Sequence, residues 1–471
     1  MFIRPFIRLS LYLLCLIGGV SSCKVADLPQ LPSTTPMPAT FIGSADTLSM
    51  GDLIWEDFFN DRYLLQLIDT ALANNLDVLT AMQRIKIAQA NLLMSKGALQ
   101  PSLDGRVSAN VGRAVGNNMI DNPSQNIGGN SVAQNYFIGV QSSWEADLWG
   151  KLRLRQEADY ARFLASEKGR HLVITNLVAE VARLYYELLG LDNELETIQK
   201  NVAFQEVALE MVRIQKIGGR ATELAVQQFQ AQLLRTQSLS YEKQQRIIEV
   251  ENQLNQLLGR YPQPIARGTS ILKQHLPDIV RAGVPSSMLL RRPDIQQAEL
   301  ELAAARADVE AARAAFFPSL VISPYAGIDA TDLSMLLKPE SLAIGAIGGL
   351  VAPIFSKNRI RANYERASAQ TRAAFYNYQQ RILVGHQEVV SDLKRIENYR
   401  KVYELREQEA DVLTAAVSTS NDLFAAGYAT YLEVITAQAR VLEAELSVTN
   451  TRREIFVSII DLYRALGGGW H

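Results

Sequence analysis

Cysteine and histidine are scarce, two and four among 471 residues. That leaves little material for a zinc site, an iron-sulfur cluster or a disulfide framework. Charge of one sign is also missing: 47 basic side chains stand against 49 acidic ones, a formal net charge of -2. Without a basic block the chain lacks the electrostatic footprint of a nucleic-acid binder. Its 48% apolar content is too high for a disordered protein. Catalytic motifs are absent as well. Gly150-Lys151 lacks the glycine and the Ser/Thr of a phosphate loop, no His-Glu-x-x-His or Gly-x-Ser-x-Gly occurs, and His171, His275, His386 and His471 are scattered without ligand spacing. The expectation is a protein without enzyme activity, metal or redox cofactor.

Long apolar runs are limited to one. Arg4 and Arg8 precede Leu9 to Val20, which is broken by Ser21, Ser22 and Cys23. This run of about a dozen residues is short of the roughly 20 that a membrane-crossing helix needs, so residues 1–22 read as a secretory signal peptide. Val20-Ser21-Ser22-Cys23 resembles the bacterial lipobox. The resemblance implies that Cys23 becomes the acylated first residue, carrying N-acyl (palmitate-type) and S-diacylglycerol lipid, and Lys24 then points to the outer membrane. An ordinary signal peptide with a free cysteine nearby is the other reading. Cleavage removes Cys15, so the mature chain has no disulfide.

Residues 23–55 form an acylated start and a linker, with a Pro-rich stretch from Leu28 to Pro38 suited to an extended conformation. Beyond it the chain repeats itself. Gly219, Ala221, Thr222, Leu224, Val226, Gln230, Ala231 and Leu234 match Gly427, Ala429, Thr430, Leu432, Val434, Gln438, Ala439 and Leu442 at one fixed offset. A second block carries Asp77, Ala81, Ala90, Ala98 and Pro101-Ser102-Leu103 onto Asp294, Ala298, Ala307, Ala315 and Pro318-Ser319-Leu320. Two repeats follow, 56–262 and 288–471, joined by a Pro-marked linker at 263–287.

Each repeat predicts a helix, two strands, a long helix, a turn and a helix. Leu64, Ile68, Leu72, Leu79, Met82, Ile85 and Leu92 form an amphipathic stripe expected to run as one helix of roughly ten turns. From Leu103 the period becomes two: Leu103, Gly105, Val107, Ala109 and Val111 alternate with Asp104, Arg106, Ser108 and Asn110. Residues 112–134 read as an exposed loop, after which Tyr136, Ile138, Val140 and Trp144 share one face. Tyr136 and Trp144 would lie about 27 Å apart along a strand, the height of a membrane barrel's apolar band with an aromatic at each rim. A soluble half-buried hairpin shows the same alternation. Repeat two offers a second hairpin, about 319–352, with less regular alternation.

Four strands cannot close a barrel, and lipid tolerates no open sheet edge. Other copies of the chain must complete it, and a homotrimer of twelve strands is the simplest solution that leaves a lumen. No proline occurs between Pro123 and Pro262 or after Pro353. Those Ala/Gln/Glu/Leu-rich tracts read as helical hairpins, with a helix of roughly 100 Å from Leu148 to Ile214 and coiled-coil-like spacing from Leu432 to Tyr463. A lipid anchor, a β-barrel and long helical hairpins describe a tube standing from the outer membrane into the periplasm.

Four stretches resemble the TolC-like outer-membrane efflux factors, in particular the lipoprotein branch of OprM and NodT type. They are Trp55-Glu56-Asp57-Phe58-Phe59 with Asp61 and Leu64-Leu65; Trp144-Glu145-Ala146-Asp147-Leu148-Trp149-Gly150-Lys151; Leu290-Arg291-Arg292-Pro293-Asp294-Ile295; and Leu462-Tyr463-Arg464-Ala465-Leu466-Gly467-Gly468-Gly469-Trp470. The resemblance implies an α+β membrane protein, a trimeric 12-stranded β-barrel continuous with a coiled-coil periplasmic tunnel. It implies two partners, a periplasmic adaptor and an inner-membrane pump of the RND (resistance-nodulation-division) type, and a role in passing drugs or other small molecules outward. The duct of an ATP-driven, type I-like protein secretion system is the alternative, and a lipid-anchored periplasmic scaffold is a further one.

Individual residues follow from the resemblance. Gly219, Arg220, Gly427 and Tyr428 in the Gly-centred helix turns would meet the adaptor, unless these are plain interhelical turns. Leu432 matches a constriction residue, while Thr436 stands where the OprM-like pattern has an Asp, and Glu433 points about 100° away. Arg292-Pro293-Asp294 reads as a helix start. Lys151, Arg153 and Arg155 read as a charge set near the junction of strands and helices, and Gly467 to Trp470 as a helix stop.

Overall fold

The computed structural model describes residues 27–41, 48–113, 132–275, 281–353 and 356–470. The signal peptide, Cys23 and most of the loop expected at 112–134 lie outside them. Four strands and seven long helices follow in the order α1 (Arg62–Asn74), α2 (Leu76–Gly97), β1 (Ser102–Arg113), β2 (Val132–Ala146), α3 (Lys151–Ile217), α4 (Glu223–Leu257), α5 (Pro293–Ala314), β3 (Ser319–Ala330), β4 (Leu342–Val351), α6 (Arg359–Ala425) and α7 (Tyr431–Ala465). Lengths recur from one half to the other. Helices α2 and α5 have 22 residues each, β1 and β3 12 each, α3 and α6 67 each, α4 and α7 35 each. Residues 27–38 have no regular structure, and residues 263–275 and 281–287 carry single 3-10 turns at Ile271–Lys273 and Pro285–Ser287 and an isolated antiparallel bridge from Ala282 to Ser49.

The expected ten-turn helix from Leu64 to Leu92 is two helices. Asn75 interrupts it with an extended backbone (φ -63°, ψ 128°). Its Oδ1 accepts from the amides of Asp77 (2.9 Å) and Val78 (3.2 Å), and its Nδ2 donates to the carbonyl of Leu257 at 2.9 Å. An asparagine that caps a new helix satisfies orphan amides that a continuous helix would not have exposed. The apolar spacing hid the break because Leu79 follows Leu72 by seven residues; beyond Asn75 the buried face is that of Val78 and Ala81, with Leu79 and Met82 exposed.

The chain divides into two compact units, and these are not the sequence repeats. One holds Ile87–Phe163 and Leu300–Tyr376 with the described residues up to Ser33; the other holds Thr34–Lys86, Leu164–Glu299 and Asn377–His471. Each draws on both halves of the chain.

In the first unit the strands form one antiparallel sheet in the order β1-β2-β3-β4. The central pairing, β2 with β3, joins the two halves of the sequence, setting Ile138 opposite Ile328 and Trp144 opposite Ile322. Register decides the chemistry of each face, because partners in a pair point the same way. Val107 faces Ile138, Ile138 faces Ile328 and Ile328 faces Leu342, so one side of the sheet is apolar from edge to edge. The opposite side carries Asp104, Arg106, Gln141, Glu145 and Asp329 on β1 to β3, and β4 adds Ala343, Gly345 and Gly349. Repeat two alternates less regularly because Val321, Ile347 and Val351 also fall on that second side. Beside the sheet, Ala158 and Ala161 of α3 pack on Ala304 and Ala307 of α5, small side chains that let two helices approach closely. Arg162 bridges the same helices by pairing with Asp159 at 2.9 Å and with Asp308.

The second unit holds the large core. Tyr185, Tyr186, Leu188, Phe456, Ile460 and Tyr463 are fully buried there, together with Phe58, Phe59, Leu64 and Ile68 from the start of the chain. A separate cluster of Leu209, Val212, Val226, Phe229, Val434 and Ile435 binds the far ends of α3, α4 and α7. No helix among the described residues is long and apolar enough to cross a membrane.

Candidate functional site

Both Gly-centred turns close in the same way. Helix α3 ends with the amide of Arg220 donating to the carbonyl of Gln215 at 2.8 Å, and α6 with Tyr428 donating to Leu423 at 2.8 Å. This back-bonded ending needs a left-handed residue just past the helix, and Gly219 (φ +70°) and Gly427 (φ +81°) supply it. Phe424, Tyr431 and Ala221 pack on the cluster around Val226 and Ile435, so both turns stand at one end of the same four helix ends. Tyr428 (85%) and Ile217 (88%) are largely exposed, and Arg220 is exposed too. The turns differ in their pairing: Lys216 reaches Glu223 across the first, whereas no ion pair crosses the second among the described residues.

Leu432 and Thr436 stand one turn apart near the start of α7, both exposed in the single chain. Glu433 is committed to its own helix start. Its carboxylate accepts from the amide of Thr430, while the Thr430 side chain accepts from the backbone of Glu433, a reciprocal capping box. Tyr136 and Trp144 lie toward opposite ends of the apolar side of β2; Tyr136 donates to Gln134 Oε1 at 3.1 Å and Trp144 Nε1 to the carbonyl of Leu99 at 3.1 Å.

The four signature stretches hold joints rather than a site. Phe58 stacks on Tyr463 at 4.0 Å, and the Tyr463 hydroxyl donates to the carbonyl of Leu53 at 2.7 Å. Asp147 caps α3 by accepting from the amides of Leu152 (2.9 Å) and Arg153 (3.0 Å). Burial opposes ionisation of Asp147, but these amides and the Arg153 side chain hold its carboxyl below the ordinary range. Trp470, past the helix stop, stacks on His171 at 4.4 Å and donates to the carbonyl of Arg291 at 3.2 Å. His386 packs near Phe41 with ring centres 5.2 Å apart.

Pro293 and Asp294 do start α5, yet Arg292 does more than precede them. Its guanidinium, 4% exposed, forks onto both oxygens of Asp294 (3.0 and 2.8 Å) and also reaches Glu388 at 2.7 Å and the carbonyl of Ala465 at 2.9 Å. One side chain thereby ties α5, α6 and the end of α7, a bidentate use that lysine could not copy. Burial of Asp294 raises its pKa, and the Arg292 hydrogen bonds and charge overcome that and keep it low. Sequence reasoning missed this clamp and the role of Asp61, which caps α1 and accepts from the Tyr185 hydroxyl at 2.7 Å and Gln274 Nε2 at 2.8 Å. Nothing local in the sequence announces partners 96 to 213 residues away.

No group of three or more His, Cys, Asp or Glu side chains able to hold a metal ion occurs among the described residues. The profile of the family described as Outer membrane efflux protein matches residues 67–260 and 284–468. The chain is 28% identical over 470 residues to the solvent efflux pump outer membrane protein SrpC of Pseudomonas putida, covering 99% of this chain and 98% of that one. It is likewise 28% identical to the probable outer membrane lipoprotein SilC of Salmonella typhimurium, over 92% of this chain and 93% of that one. The cation efflux system protein CusC of Escherichia coli matches at 28% identity, over 97% of this chain and 98% of its own. A crystal structure of CusC superposes with a TM-score of 0.83 at 26% identity, covering 95% of this chain and all of that one. Fold and function follow: four strands per chain of a trimeric TolC-like outer-membrane channel, serving as the outer-membrane part of an efflux system. This chain belongs to the outer membrane efflux protein family.

Proposed function

We propose that this protein is the exit duct of a tripartite efflux assembly, receiving small molecules from a proton-driven inner-membrane pump of the RND type through a periplasmic adaptor. It performs no chemistry on its cargo and uses no cofactor. Lipid on Cys23 ties its start to the outer membrane, and the exposed turns at Gly219-Arg220 and Gly427-Tyr428 receive the adaptor. Tyr136 and Trp144 mark the rims of the apolar band.

One observation carries the reading. The sheet is apolar on one side from β1 to β4, while the other side gathers Asp104, Arg106, Gln141, Glu145 and Asp329 on β1 to β3, with both edge strands unpaired in a single chain. Such a sheet in lipid must be closed by further copies, and a closed sheet with its polar side inward encloses water. The efflux relatives supply the context.

Mild crosslinking in native membranes, followed by affinity purification of the tagged chain and mass spectrometry, tests the assembly. Recovery of an adaptor and a proton-driven pump is expected; an ATP-driven transporter in their place would overturn it in favour of protein secretion. Leu432 forms a hydrophobic constriction in this reading, and Leu432→Ser should raise closed-state conductance in planar bilayers.

A further inference from the structure

Beneath the sheet, the first unit contains a cavity of about 510 Å³ lined by the start of α3, the end of α5 and the start of α6. Strand parity settles which side of the sheet it opens on. Of the strand residues that line it, Glu145, Ser319 and Val351 belong to the side carrying Asp104, Arg106 and Gln141, and Ala146, the last residue of β2, to the apolar side of Val107 and Ile138. The cavity therefore faces water, and in a closed sheet it faces the lumen.

Its charges are unevenly matched. Each lining carboxylate has a cationic partner: Glu145 pairs with Lys151, Asp147 with Arg153 at 3.2 Å, and Asp308 with Arg162. Three lining guanidiniums, Arg155, Arg359 and Arg366, have no carboxylate within ion-pair distance among the described residues. Spacing aims them into the same space. Arg359, Asn363, Arg366 and Gln370 recur at three- and four-residue intervals along α6 and all line the cavity, as one helix face must. Lys151 and Arg155 do the same on α3. Helix α6 has no acidic residue in its first turn to neutralise the amides there, whereas Asp147 occupies the matching place on α3.

We propose that this cavity is an anion station on the export path, where Arg155, Arg359 and Arg366 attract and transiently hold carboxylate, sulfate or phosphate groups of passing solutes. Guanidinium forks suit those groups geometrically. A concave wall focuses the field of its charges, which raises the local anion concentration by roughly tenfold or more. Three chains around one lumen repeat the station three times. The proposal rests on the channel reading for its place on the path, but the electrostatics of the cavity can be tested apart from transport.

Asn363 lies between Arg359 and Arg366 on the lining face and is exposed. With Cys23 acylated and Cys15 replaced by serine, Asn363→Cys in detergent-purified full-length trimers is a single reporter thiol. Its modification rates by an anionic and a cationic methanethiosulfonate reagent are compared, with the three arginines intact and with Arg155→Gln, Arg359→Gln and Arg366→Gln combined. The anionic reagent should be favoured roughly tenfold at low salt, with the ratio collapsing toward that of a free thiol in the triple variant and at high salt. A ratio indifferent to the arginines overturns the station. Single Arg155→Gln, Arg359→Gln and Arg366→Gln variants should each lower the ratio while the matching Arg→Lys variants keep most of it, which covers the case where the triple variant fails to assemble; single Arg→Gln variants that leave the ratio unchanged overturn the station as well. Reversal potentials in a potassium chloride gradient across planar bilayers separate the two claims. Complete absence of current even in the Leu432→Ser background would count against the channel reading, while current whose anion preference ignores the three arginines would count against the station alone.

Discussion

In the unit that carries the sheet, Leu103, Val107, Leu342 and Ile344 stand in the open, whereas in the other unit Tyr185, Tyr186, Phe456 and Tyr463 have almost no exposed surface. Both regions are rich in apolar side chains, and they place them in opposite directions. A sheet that turns its greasy side outward needs lipid as its second layer; a helical unit that turns its aromatic side chains inward makes its own dry interior. Polar groups invert as well. Asp104, Arg106 and Gln141 lie on the exposed polar side of the sheet, with Arg106 donating to Gln141 Oε1 at 2.9 Å, while the helical unit buries Arg292, Asp61 and Asp392 and must satisfy each by a partner.

Breaking a buried clamp should cost most. Arg292→Met strands the carboxylates of Asp294 and Glu388, and the loss should be about 3–5 kcal/mol, read as a lower melting temperature and faster proteolysis. Adding Asp294→Asn should recover part of it, because one stranded charge is gone.

The sheet responds to side rather than to burial. Val107→Arg puts a charge on the apolar side and should cost about 2–4 kcal/mol in a membrane barrel, whereas Ser108→Arg, one residue on, faces water and should be tolerated. Heat-modifiable trimers extracted from outer membranes report the difference. Equal yields of the two variants would remove the distinction between the sheet's sides.

A third comparison uses pH. Burial pushes Asp392 up to about 6; Arg395, at 3.2 Å, and Arg464 pull it down, while Asp461 and Glu388 raise it further. The folded state therefore binds this proton more tightly than the unfolded chain does, so stability should fall as pH rises from the ordinary carboxylate range to about 6 and then level off. Acidifying from pH 7 to pH 5 should raise the melting temperature by about a few degrees, and Asp392→Asn should flatten that response.

The smallest effect separates the two turns. Thr222 accepts from the amide of Ala225 at 3.2 Å, while Thr430 has the reciprocal box with Glu433. Thr430→Ala should cost about 1 kcal/mol or slightly more, and Thr222→Ala somewhat less, as caps do. Local hydrogen exchange at the two turns measures it.

Much of this architecture is readable from spacing. The period-two run from Leu103 to Val111 gave a strand with a wet and a greasy side, and the proline-free tracts, broken near Gly218-Gly219 and Gly427, gave two helical hairpins, with the first long helix expected from Leu148 to Ile214 and found at Lys151–Ile217. Asn75 was misread because an apolar stripe records the phase of a helix and not its continuity. The loop residues at 112–113 and 132–134 proved to be strand, since pairing in register recruits residues whose own propensities favour turns. The Gly-centred turns were legible as turns because only glycine fits their left-handed step easily. The arginine station was only half legible: Arg155 stood out as a charge near the junction, but Arg359 and Arg366 gained meaning only beside it.

By itself, then, the sequence determined what nearest neighbours along the chain decide: the kinds of element and their order apart from the break at Asn75, the two sides of β1 and β2, and the stops at Gly219, Gly427 and Gly467. Tertiary structure alone decided that β2 pairs with β3 across the two halves, that both compact units mix those halves, and that Arg292 joins Asp294, Glu388 and Ala465. Periodicity is a local property, fixed by backbone geometry within a few residues, whereas a partner a hundred residues away is chosen by which burial and pairing the whole chain can satisfy at once.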